Sequence, residues 1–274
     1  MKNIRFSFAL SIYDGVSVEQ LSNCINSMLA QSYKNFEILI YLDGVEKKDL
    51  ISYIDGIISD NIFIYSSTIN RGLAYGMNKL ISNMTGDIFV RMDADDENYP
   101  DRLLILNDFF IKNPDIDVVG SAILQKKIDD ISDNGTIIYY PEKHADILNQ
   151  FKYRNPIAHP TVAIRKKVFD LVPSYPVYSL RNEDTLLWLS FFKSGVIFYN
   201  IKQPLYKFNY DLNSSSRRVG FKKSYSDFID RLRVQCDLGF KISDLLKTVL
   251  LFFISNSPFY NFIRKSYFEY KNKH

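Results

Sequence analysis

Four short stretches of this sequence hold side chains whose types and spacing could do chemistry. In "DIFVRMDADDENYP" (Asp87–Pro100) an apolar run ends in Asp93, Asp95, Asp96 and Glu97. Two carboxylates spaced as Asp93-x-Asp95 in a turn can converge on one hard cation, Mg²⁺ or Mn²⁺, which prefers oxygen ligands shared with substrate phosphates. The same acids could instead serve helix entry, because carboxylates favour the positive end of a helix. Helix entry accounts for Asp96 and Glu97. It accounts poorly for Asp93, which directly follows the apolar run. Arg91, a charge inside that run, is expected to pair with a nearby carboxylate.

Asp43-Gly44 closes a second apolar run. Its carboxylate could accept from a nucleobase N–H or a ribose hydroxyl, or the pair could be a plain turn. Asn70-Arg71-Gly72 precedes a helical pattern; Gly72 allows close backbone approach, and Asn70 can cap or bind. The next glycine is Gly76, a spacing that makes neither a dinucleotide fingerprint nor a P-loop. Glu183-Asp184 opens an otherwise apolar helix, whose positive end favours an ionised carboxylate. Such a carboxylate in a pocket can take a proton from an attacking hydroxyl. Ordinary N-terminal capping explains either acid, taken singly, at least as well.

The elements that must position these groups follow from periodicity. "FSFALSIY", "FEILIYL", "IFIYSS" and "DIFVRM" read as strands. "VEQLSNCINSMLAQ" (apolar at Leu21, Ile25, Met28 and Leu29), residues 46–58, "GLAYGMNKLISNM" and "PDRLLILNDFFIKN" read as helices between or after them. Alternation of this kind implies right-handed βαβ units and a mostly parallel sheet, with ligands beyond the carboxyl ends of the strands. Tyr13-Asp14, Asp43-Gly44, Asn70-Arg71-Gly72 and Asp93-Ala94-Asp95 would then share one sheet edge. From about residue 117 the rhythm changes: "DVVGSAIL" and "GTIIYY" are strands, and "HPTVAIRKKVF" is a strand running into a short helix. "EDTLLWLSFFKSG" is a buried helix, and "VIFYN" and "PLYKFN" are two short strands. After Asn213–Ser216, a polar hinge, the chain reads as helical.

Composition bounds the rest. With 274 residues, 19 Tyr and 21 Phe, ordinary charge and sparse Gly and Pro, the chain can bury a large core. Cys24 and Cys236 offer neither a disulfide framework nor zinc spacing, and Cys24 reads as a small buried apolar residue. The N-terminal apolar run is too short and mixed for a leader or a membrane span, so a cytoplasmic location is expected. Residues 1–212 carry 22 Lys+Arg against 26 Asp+Glu, and residues 213–274 carry 12 against 5. A basic tail on an acidic body suits a polyanionic partner or an ordinary solvated helical surface.

Taken in order, "FALSIYDG", "CINSMLAQSYKNFEILIYLDG", "NRGLAYGMNKLISNMTGDIFVRMDADDENYPDRL" and "EDTLLWLSFFKSG" followed by "PLYKFNYDLNSSS" resemble the family 2 glycosyltransferases. The resemblance covers about residues 5–216. "NPIAHPTVAIRK" and "RMDADD" resemble the bacterial branch that builds capsule, exopolysaccharide and O-antigen (lipopolysaccharide) repeat units. It implies a GT-A fold: an α/β, Rossmann-like, mostly parallel sheet flanked by helices. The catalytic domain would span 1–212, with a nucleotide-binding half to about 115 and an acceptor half over 116–212, and a helical extension over 213–274. It implies inverting transfer of a hexose, galactose or glucose by branch, from a UDP-sugar to a polyprenyl-diphosphate-linked saccharide, with Mn²⁺ or Mg²⁺ as cofactor.

By the same resemblance Asp43 matches the uracil contact, with Tyr13 beside the base. Asn70, Arg71 and Gly72 match a loop near the nucleotide and diphosphate. Asp93 and Asp95 match the D-x-D that binds ribose and the metal-bound diphosphate. Asp184 matches the general base, with Glu183 as its paired acid. His159 is a candidate for touching acceptor or diphosphate, or a packed turn residue. Two departures stand out: the first strand ends in Tyr13-Asp14 where the family usually has Tyr-Asn, and Leu42 and Val45 replace the outer members of Asp-Asp-Gly-Ser. The basic, aromatic tail, including Arg217, Arg218, Lys222, Lys223, Arg231 and Arg233, would lie on the anionic inner face of the plasma membrane. Its alternatives are packing on the catalytic domain or on a second copy in a homodimer. "LLKTVLLFFI" is too short to span. A sugar nucleotidyltransferase would need a Gly-rich basic loop after the first strand, where this chain has "YDGVSVEQ". A non-catalytic sugar-nucleotide-binding protein would not need Asp93, Asp95 and Asp184 together, and no nucleic-acid motif appears.

Overall fold

The structure, a computed structural model, describes residues 3–57, 59–128, 133–172, 174–177, 182–210 and 221–257. The chain separates into two compact units, residues 1–148 with 156–210, and residues 149–155 with 211–274.

The first unit opens with β1 (Phe6–Ile12), α1 (Val18–Leu29), β2 (Phe36–Asp43), α2 (Lys48–Asp55), β3 (Ile62–Ser67), α3 (Leu73–Ile81) and β4 (Ile88–Met92). β1 and β4 are almost wholly buried, as near-continuous apolar runs covered on both faces should be. α1 begins where Ser17 and Gln20 cap each other reciprocally, and it buries Leu21, Cys24, Ile25 and Met28. β3, β2, β1 and β4 lie side by side and parallel, with Phe6 opposite both Phe36 and Ile88. Their carboxyl ends therefore share one edge, as the sequence pattern requires. At the opposite edge Glu37 is buried but well satisfied. Its carboxylate accepts from Ser7 Oγ at 2.6 Å and from Thr85 N–H and Thr85 Oγ1, each at 2.7 Å. Burial alone would push that carboxyl up; these donors hold it below its ordinary range.

The second half of the unit contains β5 (Glu97–Asn98), α4 (Arg102–Lys112), β6 (Val118–Lys127), β7 (Thr136–Ile138), α5 (His144–Phe151), β8 (Ala163–Arg165), α6 (Val168–Leu171), α7 (Glu183–Lys193) and β9 (Phe198–Tyr210). The last turn of α5 belongs to the second unit. The sheet continues from β4 through β8, β6 and β9 to β5, with β7 on β6. β8 runs antiparallel to both β4 and β6, while β6 and β9 are parallel. The two strands expected over 196–209 are one strand. Pro204, which has no N–H to give a ladder, stands opposite Ala122 where the register shifts. Helix entry for Asp96 and Glu97 is also corrected. α4 starts at Arg102, with Asp96 in the preceding turn and Glu97 in β5, paired to β9.

In the second unit, α8 (Phe221–Leu238) and α9 (Ile242–Ser255) are both helical, as read. Gln235 Nε2 bridges Lys152 O at 2.9 Å and Thr248 Oγ1 at 2.8 Å. α9 leaves Ile242, Leu246, Leu250 and Phe253 exposed along one stripe. Among the described residues no helix is long and apolar enough to cross a membrane. The Asn213–Ser216 hinge, Arg217, Arg218, the side chains of Lys222 and Lys223, and residues 258–274 lie outside the described residues.

Candidate active site

The strand ends are tied to one another by their own acids. Asp14 accepts from the N–H groups of Glu46 and Lys47, each at 3.1 Å from Oδ1, and so fixes the loop after β2. Tyr13 beside it is exposed. Asp43 is buried, and its two oxygens accept from Arg71 N–H at 2.7 Å and Gly72 N–H at 2.9 Å. Asn70 Nδ2 donates to Asp43 O at 3.2 Å. Asp43 thus fixes the Asn70–Gly72 loop, and each carboxylate oxygen keeps a second lone pair for a ligand N–H. Gly44 at φ +63° and Gly72 at φ +87° supply backbone conformations that L side chains avoid. The Arg71 guanidinium lies 4.7 Å from the Tyr75 ring centre.

At the end of β4, ligand atoms of Asp93, Asp95 and Asp96 lie within 4.8 Å of one another. Asp93 is half-buried and paired with Arg91, the partner the sequence required for that strand charge. Asp96 is buried. Its Oδ1 accepts from Asn209 N–H at 2.7 Å, while Oδ2 meets no donor among the described residues. Burial, then the charges of Asp93 and Asp95, push its carboxyl well above the usual range. Three hard carboxylates this close, one with an unpartnered buried oxygen, are a donor set that fits Mg²⁺ or Mn²⁺. The thiol of Cys24 donates to Asp93 O at 3.3 Å, and burial together with the same acids holds it neutral.

Three residues that hold this knot were not foreseen. Tyr206 and Asn209 reach it from β9. Asp93 N–H donates to Tyr206 Oη at 3.1 Å, and Asn209 Nδ2 donates to Asp95 O at 3.1 Å. Arg102 is fully buried beneath, with its guanidinium 5.2 Å from the Tyr206 ring centre; burial lowers its pKa to about 10. Nothing in residue spacing links positions more than 100 apart, so only the fold could reveal the β9 contacts. Arg102 carried a weak signal, as a charge at the head of an apolar helix.

Glu183 and Asp184 occupy the first turn of α7, after Asn182. Asp184 Oδ1 accepts from Thr185 N–H at 2.7 Å. Burial pushes the Glu183 carboxyl up, and the charges of Asp184 and Asp93 add to this, while its own N–H and Arg91 oppose it. His159 stands in a short 3₁₀ turn (His159–Thr161), its Nε2 3.0 Å from Tyr175 Oη and its ring 5.7 Å from that of Trp188. Burial, with Arg91 nearby, pushes its imidazole well below the ordinary value, so it is neutral.

The chain is similar to several known proteins. A UDP-Gal:alpha-D-GlcNAc-diphosphoundecaprenol beta-1,3-galactosyltransferase of Escherichia coli is 30% identical over 224 residues, 81% of this chain and 80% of that one. The amylovoran biosynthesis glycosyltransferase AmsE of Erwinia amylovora is 24% identical over 250 residues, 91% of each chain. The crystal structure of S. aureus TarS 1–349 superposes with a TM-score of 0.63 at 16% identity, covering 90% of this chain and 71% of that one. That likeness identifies the fold as GT-A. The model of Glycosyl transferase family 2 matches residues 9–172, and the chain belongs to that family of transferases.

Proposed function

We propose that the protein is an inverting, metal-dependent hexosyltransferase of bacterial surface-polysaccharide synthesis. It would move galactose or glucose from a UDP-sugar to a hydroxyl of a polyprenyl-diphosphate-linked saccharide. The observation that supports this reading is the close set of Asp93, Asp95 and Asp96 at the end of β4, on the same sheet edge as Asp43 and the Asn70–Gly72 loop it fixes. The E. coli relative, whose name gives UDP-Gal as donor and a diphosphoundecaprenol-linked GlcNAc as acceptor, supports the substrate classes.

In this reading Asp93 and Asp95 hold a divalent cation, which when bound offsets charge on a leaving diphosphate. Tyr13 and Asp43 receive the base, and Asn70, Arg71 and Gly72 border the diphosphate. Asp184 takes the proton from the acceptor hydroxyl, with Glu183 as its paired acid. The freed oxygen attacks the anomeric carbon opposite the diphosphate, the C–O bond to UDP breaks, and configuration inverts. His159, neutral and bonded to Tyr175, belongs to the wall beside the acceptor or diphosphate and carries no charge to either. The apolar stripe of α9 lies on the inner face of the plasma membrane, where the lipid-linked acceptor is found.

The test is incubation with Mn²⁺, a panel of UDP-sugars and a lipid-diphosphate GlcNAc or GalNAc acceptor. Transfer from one donor, lost with EDTA and restored by Mn²⁺, is the expected result. Binding of UDP without transfer from any donor to either acceptor would replace the catalytic reading with a binding one.

A further inference from the structure

We propose that β3, the outermost of the parallel strands, is the surface through which two copies of this chain pair as a two-fold dimer, with α2 packed against α2 of the second copy. The surface lies outside the residues assigned above to donor, cation and base.

The two ends of the sheet are finished differently. β5 closes one end with only two residues, Glu97–Asn98, too short and too polar to recruit another strand. β3 closes the other with six, "IFIYSS", which include no charge and no Pro. Its register against β2 is unbroken from Ile62 to Ser67, so no bulge turns the edge away. Edges usually carry such devices because their free N–H and C=O groups recruit strands. Here those groups stay open. Ile38 N–H donates to Asn61 O at 2.8 Å and Gly44 N–H donates to Ser67 O at 3.1 Å, so the odd-numbered residues of β3 aim their backbone groups at β2. Ile62, Ile64 and Ser66 therefore aim theirs outward, and among the described residues only the Ile62 N–H is taken, by Ser59 O at 3.3 Å. Phe63 is 41% and Ile64 42% exposed, on opposite faces of the strand.

A second copy is the occupant that this surface fits. With Ile64 set opposite Ile64, two antiparallel β3 strands exchange N–H···O bonds at their centre, and each Ser66 N–H reaches Ile62 O of the second copy. The same register stands Phe63 opposite Tyr65, a favourable aromatic cross-strand pair. A two-fold axis normal to the sheet keeps both α2 helices on one face and sets them antiparallel. α2 is the crossover between β2 and β3; it buries Leu50 and Ile54 and leaves Lys48, Ile51 and Asp55 exposed. Lys48 and Asp55 stand about two turns apart, with Ile51 between them. An antiparallel copy brings each Lys48 to the other's Asp55, with the Ile51 side chains in the middle, so the charges of α2 complement themselves. The strand alone falls short of the about 800 Å² per partner that a stable dimer buries, and the α2 face enlarges the contact toward it.

The test is sedimentation equilibrium of the full chain in a mild detergent, which covers the apolar stripe of α9. Wild type is expected at twice the 32.0 kDa chain mass. K48E and D55K each set like charges together at both symmetry-related contacts, and each weakens the dimer at least about tenfold. K48E/D55K exchanges the two signs and restores it. I64K sets two ammonium groups together at the centre of the strand pair and gives monomer with an unchanged circular dichroism spectrum. Should I64K fail to fold, the charge series, confined to exposed side chains, decides. Wild type that stays monomeric at the highest soluble concentration overturns the proposal, as do assemblies that grow beyond the dimer. A dimer that withstands I64K places the contact elsewhere in the chain and overturns it too. So do inert charge reversals, or a double variant that does not recover.

Discussion

Two adjacent acids at the head of α7 illustrate how much environment matters beyond residue type. Glu183 is pushed toward its neutral form by burial and by neighbouring acids. Asp184 accepts from Thr185 N–H through one of its oxygens. General-base help is typically worth about 10²–10⁴-fold, so D184A lowers kcat by that factor while UDP affinity, read by calorimetry, stays within about threefold. Retained turnover would move the base elsewhere. At this scale the sequence was partly legible. A cation in the buried run "IFVRM" demanded a carboxylate, and Asp93 is that carboxylate. His159 was legible only as a residue in a turn, because its neutrality comes from burial and from Arg91, and no local pattern joins it to Tyr175 or Trp188.

At the scale of elements, the loops at the carboxyl edge rest on two glycines with different demands. A methyl on Gly72 would meet nothing within 4 Å, whereas one on Gly44 would stand 2.4 Å from the backbone nitrogen of Asn70. G72A therefore costs about 1–3 kcal/mol through backbone strain alone. G44A costs more and displaces the Asn70 loop; urea denaturation of the pair checks the order. On the opposite edge, Glu37 has its titration depressed by Ser7 and Thr85 donors. The stability it contributes is thus present above the ordinary carboxylate range and lost as pH falls through its lowered midpoint. E37Q destabilises by about 1–3 kcal/mol at pH 7, and the deficit shrinks toward low pH; thermal unfolding across pH 3–7 measures it. The alternating strands and helices were readable because each buried strand here is a continuous apolar run. β9 was read as two pieces because Pro204 looks like a break, and only the register shift opposite β6 accommodates it. β5 is too short for any periodicity to announce it.

For the molecule as a whole, the charge asymmetry of the sequence meets a physical counterpart in the second unit. α9 exposes Leu246 at 63% and Leu250 at 58% on one stripe. Burying a large aliphatic side chain is worth about 1.5–3 kcal/mol, so L246E/L250E should weaken binding to anionic phospholipid vesicles by at least about tenfold without loss of helicity. Unchanged sedimentation with vesicles would return the stripe to a protein partner. The tail's helical character was legible from composition; the identity of its exposed face was not, since that depends on which side α8 covers.

The clasp between β9 and the acid knot also has a consequence in time. Asp93 and the Tyr206 hydroxyl that receives its N–H are 113 residues apart. At a synthesis rate of about 5–20 residues per second, the acids leave the ribosome roughly 6–23 s before Tyr206 follows them. The four parallel strands can pair during that interval, but the acidic turn has no clasp until the last strand of the sheet has been made. A nascent chain therefore gains its scaffold first and its chemistry last, and an interrupted one is left with the fold's beginning and an open turn.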